Sequence, residues 1–204
     1  CMRPGAGLTS QMRRGIQEKG GVGKGGDWAG HLTLLMPGQS FAAKCILREG
    51  REPLEQRLDY QKVDPAAYRA VLGLENHLHG PAGLEPQLIH LLKLRASQMN
   101  GCAYCVDMHT KEARKDGLSE QWIALVCVWR EALVFQPRER ALLAWTEALT
   151  RMGEAGAPDE LYQAMRAHFS ERDTVNLTVA IATINVWNRL AVGFRSAHPL
   201  DAGA

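Results

Sequence analysis

From Ser170 to about Arg195 the chain carries apolar side chains on two faces of one helix: Leu177, Ile181, Ile184, Ala191 and Phe194 on one, Val175, Val179, Val186 and Leu190 on the other. A helix apolar on nearly all sides belongs at the centre of a core or between subunits. Asn176, Asn185, Asn188 and Arg189 interrupt it, which hydrocarbon would not accept cheaply, so no membrane span is expected. The rest of this region is punctuated as helices. Asp64-Pro65 offers an N-cap and a proline at N1 for a first helix running to His79, stopped by Gly80-Pro81. Pro86 starts a second, striped by Leu88, Leu91, Leu92 and Met99 and broken at Asn100-Gly101. A third ends at Gly117, Ser119 caps a fourth rich in Ile123, Leu125, Val126, Val128 and Trp129, and Pro137 to Met152 and Pro158 to Phe169 read as the fifth and sixth. Period-two alternation is missing from this region, so the class is all-α: a single helical domain of about seven helices, spanning residues 57–204.

Residues 1–56 read differently. More than half of the 20 glycines fall in the first 50 positions, without a sustained apolar period, so a flexible, poorly ordered extension is expected there. Its cluster Gly20-Gly21-Val22-Gly23-Lys24-Gly25-Gly26 fails as a phosphate loop, because Gly25 follows the lysine where Ser or Thr is needed and Glu18 stands where the first glycine belongs. His31 to Met36, HLTLLM, suits a strand or an arm packed on the body. With 24 Lys+Arg against 22 Asp+Glu, the net charge of +2 is too balanced for a nucleic-acid or anionic-membrane footprint. Small-molecule and protein partners are expected instead. The 5 cysteines lack the even, dense spacing of a secreted disulfide scaffold, which points to a reducing, cytoplasmic setting.

The chemistry concentrates in Gly101-Cys102-Ala103-Tyr104-Cys105-Val106-Asp107-Met108-His109. If the third helix begins near Cys102, its first-turn amides and dipole favour thiolate over thiol. An i, i+3 spacing brings Cys102 and Cys105 onto one face, within reach of a disulfide, and i+4 sets His109 beneath Cys105, where imidazole can take the thiol proton. Such a site can reduce a peroxide: the thiolate attacks the O–O bond, becomes a sulfenic acid, and the second thiol condenses with it. The rival is zinc, held by the two cysteines, His109 and His90 from the preceding helix. One helical face makes a poor tetrahedral cage and no second C-x-x-C is present, so neither metal nor cofactor is expected. Covalent haem would need histidine where Val106 stands. Cys127, within WIALVCVW, reads as core; Cys1 and Cys45 have no visible partner; His31, His77, His79, His168 and His198 read as surface or loop residues.

The segments LRASQMNGCAYCVDMHTKEAR at 94–114, RERALLAWTEALT at 138–150 and LTVAIATINVWNRLAVGFR at 177–195 together resemble the alkylhydroperoxidase D-like core of the carboxymuconolactone decarboxylase superfamily. The resemblance covers roughly residues 57 to 196. It implies an all-helical fold assembled as homo-trimers or homo-hexamers, and a peroxidase of antioxidant defence whose hydroperoxide-oxidised centre is reset by a dithiol reductant, a lipoyl-bearing or thioredoxin-like protein. By position, Cys105 would attack peroxide, Cys102 would be its disulfide partner and His109 part of a proton relay. The best-known peroxidase members carry a glutamate at the position of His90 and a histidine at that of Tyr104. His90 can pass protons but lacks a carboxylate's ability to hold His109 positively charged. Tyr104 offers a phenol able to donate to a peroxide oxygen. Decarboxylases of the superfamily typically lack the cysteine pair. Two other functions fit the motif: a thiol–disulfide oxidoreductase acting on lipoyl or protein disulfides, and a redox-sensing module without turnover.

Overall fold

The computed structural model describes residues 55–201. Among them are nine α-helices and no strand: α1 (Tyr60–Val63), α2 (Pro65–His79), α3 (Pro86–Met99), α4 (Ala103–Lys115), α5 (Glu120–Leu125), α6 (Pro137–Thr150), α7 (Met152–Ala155), α8 (Asp159–His168) and α9 (Glu171–Phe194). The expected extension and its HLTLLM run lie outside the described residues, apart from its last two positions. The seven expected helices are present, joined by two single-turn helices, α1 and α7, too short to leave a periodic signal.

Their ends follow local chemistry. The Asp64 side chain accepts from the amides of Ala66 and Ala67 at 3.0 Å each, and Pro65 occupies N1, where its missing N–H costs nothing. Asp64→Ala would forfeit about 1 kcal/mol of capping. Ser119 caps α5 and Ser170 caps α9 through the amides of Trp122 and Asp173. Gly101 and Gly117 take φ of 65° and 84° on either side of α4, so these turns are reserved for glycine by its freedom at positive φ.

Two expectations about the fourth helix need correction. Its α-helical part stops at Leu125 and tightens into a 3₁₀ turn, Val126–Val128, before the chain bends away. That turn rotates Val126 inward while leaving Val128 52% exposed. Cys127 is accordingly a free, exposed thiol and not a core residue. The apolar run WIALVCVW contains more hydrophobic residues than one helical face can bury, and the bend decides which ones face solvent.

The core is built around α3 and α9. Ile89, Leu91, Leu92 and Leu94 of α3 are at most 2% exposed, as are Leu177, Ala180, Ile181 and Ile184 of α9. Leu142 and Leu143 of α6 and Met165 of α8 close the same cluster. The length and apolar composition of α9 would suit a membrane span; in the fold it packs on α2, α3, α4, α6 and α8. Its asparagines are buried and paired: Asn176 Oδ1 lies 3.0 Å from His77 Nε2, and Asn188 Nδ2 donates to Ser97 Oγ at 3.0 Å. Each buried amide offsets its desolvation through such a bond. The second face of α9 stays partly open, with Val175, Val186 and Val192 exposed.

Before α1, the Arg57 amide donates to Phe194 O and its guanidinium to Gly193 O, both at 3.0 Å, tying the first described residues to the end of α9. A chain starting at Glu55 is therefore expected to unfold in one cooperative transition with a midpoint within a few degrees of the full chain's, by circular dichroism. A broadened or missing transition would assign part of the core to residues 1–54.

Candidate active site

Asn100-Gly101 ends α3 and turns the chain into α4, and this turn sets the position of both motif cysteines. The Asn100 Nδ2 amide donates to Asn185 Oδ1 at 3.0 Å and to Asn188 Oδ1 at 2.8 Å, while the Cys102 amide donates to Ser97 O at 3.0 Å. Buried amides of α9 thus brace the turn from behind. Cys102 is the N-cap of α4, its Sγ accepting from the Cys105 amide at 3.3 Å, and Cys105 sits one turn in. The two form a disulfide across a Cα–Cα distance of 5.3 Å. Same-face spacing in the sequence had predicted this proximity. Cys102 and Cys105 are 1% and 2% exposed.

Cys105, but not Cys102, lines a cavity of about 430 Å³. One wall is aromatic: Tyr68 meets Trp187 edge-on with centroids 5.5 Å apart, and Tyr60 lies 6.3 Å from Tyr68. Tyr104, Leu72, Met108 and Ala191 extend that wall. The polar lining includes His109, His90, Lys93, Glu75 and Glu112. All four of the non-Cys102 candidates from the sequence, Cys105, His109, His90 and Tyr104, therefore face one space.

His109 is 3% exposed, and its Nδ1 lies 2.8 Å from Glu112 Oε2, a partner one turn further along α4. A carboxylate only accepts, so Nδ1 carries the hydrogen and Nε2 keeps its lone pair. Nε2 is buried and has no protein partner. Burial holds His109 below the usual imidazole range, and the nearby Lys93 charge pushes the same way; the hydrogen bond and charge of Glu112 oppose them without prevailing. Glu112 is held below the usual carboxylate range, chiefly by its hydrogen bond to His109. The pair is therefore a neutral imidazole oriented by a carboxylate. His90, where the resemblance implies a glutamate, gives His109 no carboxylate. The i, i+3 spacing of His109 and Glu112 was the signal that could have supplied one.

His90 is 6% exposed; its Nε2 lies 2.7 Å from Asp116 Oδ2, just past the end of α4, and its Nδ1 is buried without a partner. The site thus holds two imidazoles, each oriented by one carboxylate. Burial, followed by the neighbouring Tyr60, Tyr68 and Glu112, raises the Tyr104 phenol above its usual range, so it keeps its proton and can donate. Lys93 and Glu75 were not singled out by the sequence. Lys93 Nζ is 2.6 Å from Glu75 Oε2, and Glu75 Oε1 accepts from Trp187 Nε1 at 2.8 Å. His79, expected on the surface, is exposed yet lines the same cavity 3.3 Å from Lys93 Nζ. His77, His168 and His198 are exposed as expected, while His31 and the remaining two cysteines, Cys1 and Cys45, lie outside the described residues. Among the described residues no three His, Cys, Asp or Glu side chains converge as a metal cage.

The model of the carboxymuconolactone decarboxylase family matches residues 65–148. YdfG of Bacillus subtilis (strain 168), an uncharacterised protein, is 38% identical over 139 residues, covering 68% of this chain and 94% of YdfG. The chain belongs to the carboxymuconolactone decarboxylase family. Within this family it is similar to AhpD-like members. A crystal structure from Agrobacterium tumefaciens, of unknown function and provisionally assigned as the antioxidant defence protein AhpD, is 56% identical with a TM-score of 0.70, covering 72% of this chain and 100% of that one. An uncharacterised peroxidase-related protein from Ralstonia eutropha JMP134, described as an alkylhydroperoxidase AhpD core, is 22% identical with a TM-score of 0.61 over 68% of this chain and 74% of that one, a likeness of fold alone.

Proposed function

We propose that this carboxymuconolactone decarboxylase family member is a thiol-dependent peroxidase of antioxidant defence, reducing hydroperoxides through a Cys102/Cys105 dithiol–disulfide cycle. The observation that carries the reading is the placement of Cys105 in one cavity with His109, a buried neutral imidazole whose Nδ1 is held by Glu112 and whose Nε2 is unpartnered. In the reduced enzyme, His109 Nε2 takes the Cys105 proton. The thiolate attacks the terminal oxygen of the hydroperoxide, the S–O bond forms as the O–O bond breaks, and the departing alkoxide takes a proton from Tyr104 or the imidazole. Cys105 is then a sulfenic acid. The Cys102 thiol attacks its sulfur, releasing water and leaving the disulfide.

A dithiol reductant must reduce that disulfide, becoming oxidised itself; we assign this role to a lipoyl-bearing or thioredoxin-like protein. His90, backed by Asp116, carries protons between His109 and solvent. The exposed valines of α9 support assembly as a homo-trimer or homo-hexamer, and the cysteine usage supports a cytoplasmic location.

The deciding experiment is steady-state hydroperoxide consumption by the purified protein, with lipoyl, thioredoxin-type and glutathione-type donors in parallel. The reading expects turnover with a dithiol donor. Disulfide exchange without peroxide consumption would make the protein a thiol–disulfide oxidoreductase. Reversible oxidation with no turnover in either assay would leave a redox sensor.

A further inference from the structure

One charged pair in the cavity has no part in the cycle above. The Lys93 and Glu75 side chains are only 5% and 14% exposed. An apolar pair of similar volume would pack here at no cost in stability, since burying two ions costs about what their attraction returns. The pair is also oriented. Lys93 takes one oxygen of Glu75, and Trp187 donates to the other. Lys93 lines the same cavity as Cys105, His109 and Glu112, and its charge acts on both His109 and Glu112.

We propose that Lys93 is the electrostatic positioning residue of the site, its ammonium serving as the fixed counter-charge of the Cys105 thiolate and keeping His109 in its neutral, proton-accepting form. The proposal rests on the peroxidase reading for its purpose but not for its test.

The charges sharing the cavity define what Lys93 must offset. From α2 come Glu75 and His79, from α3 His90. From α4 come His109, Glu112 and the exposed Lys115, with Asp116 just beyond, and the phenols of Tyr60, Tyr68 and Tyr104 close the aromatic side. Three carboxylates thus oppose a thiolate here, and Lys93 is the buried cation among these groups. An imidazolium on His109 would also balance the thiolate, but it gives its proton up to the departing alkoxide in the cycle above. The Lys93 charge stays beside the thiolate and weakens the hold of His109 on that proton, so the ring both accepts and releases it.

The test uses the Cys102→Ser chain, in which Cys105 is the sole motif thiol, and reads two titrations: Cys105 by the pH dependence of its alkylation, and His109 by its imidazole NMR shift. Lys93→Met is expected to raise the midpoint of both by about one unit, lowering the thiolate fraction near neutral pH about tenfold. Lys93→Arg should restore most of it. Simple loosening of the cavity would act differently: admitted water raises a buried imidazole's midpoint but lowers a buried thiol's. A Cys105 midpoint that falls or stays put in Lys93→Met overturns the proposal. Because Lys93→Met strands Glu75, the Glu75→Gln/Lys93→Met double variant is measured beside it. Its Cys105 midpoint should also rise, and an unshifted one would mean that the pair acts as a neutral brace. Neither readout involves peroxide, so failure here is separate from failure of the peroxidase reading.

Discussion

Cys105→Ser is expected to abolish hydroperoxide turnover, whereas Cys102→Ser should complete one round of attack and stop. The asymmetry follows from where the two sulfurs sit. Cys105 opens on the cavity and has His109 one turn below it; Cys102 is the N-cap, 1% exposed and absent from the cavity wall. Serine in place of Cys105 removes the nucleophile. Serine in place of Cys102 removes the second thiol, so the sulfenic acid formed on Cys105 has no internal partner with which to condense, and dimedone labelling with mass spectrometry should capture it in stoichiometric amount. Swapped phenotypes, with the sulfenic acid on Cys102, would reverse the two roles. Serine also caps a helix well, so Cys102→Ser should keep the start of α4 intact and leave stability nearly unchanged.

His109→Gln is expected to slow thiol oxidation by peroxide about 10²- to 10⁴-fold near neutral pH, the range for loss of a general base. The pH profile carries more information than the rate. His109 is held below its ordinary value of 6.5, first by burial. The acid limb of the wild-type profile should therefore lie below pH 6.5, and His109→Gln should lack it. Glu112→Gln removes the hydrogen bond and charge that favour the imidazolium, so its acid limb should move lower still and its rate should fall as the tautomer is no longer fixed. The same group sets a stability signature. As pH falls the unfolded chain takes up the proton first, so the contribution of His109 is complete above 6.5 and is lost as pH falls from there through its folded value. Urea midpoints of the wild type should drop across that window more than those of His109→Gln. Parallel curves would show that His109 is not buried neutral.

The helices were legible because their ends are written in local chemistry. Asp64-Pro65, Ser119, Pro137 and Ser170 each mark a helix start within a residue or two of where it lies, and Gly101 and Gly117 mark turns at positive φ. The C-x-x-C-x-x-x-H was legible for the same reason: Cys102, Cys105, His109 and also Glu112 follow one another at steps of three or four residues along one helix, where spacing alone implies proximity. Cys127 was misread because a 3₁₀ turn, which periodicity cannot foresee, rotated it out of the core.

By itself the sequence determined the all-α class, a last helix apolar on nearly all sides and the dithiol at the head of α4, all of which are written in residues a few positions apart. Only the tertiary structure decided what surrounds that dithiol. Glu75, Lys93 and Trp187 come from three helices, and the bonds that join them span 18 and 112 positions of chain. Asp116 reaches His90 across 26. Such pairs leave no period or spacing in the sequence, because they are set by which helix faces pack together. Burial, which makes His109 a neutral base and Lys93 a counter-charge, exists only once those faces have met.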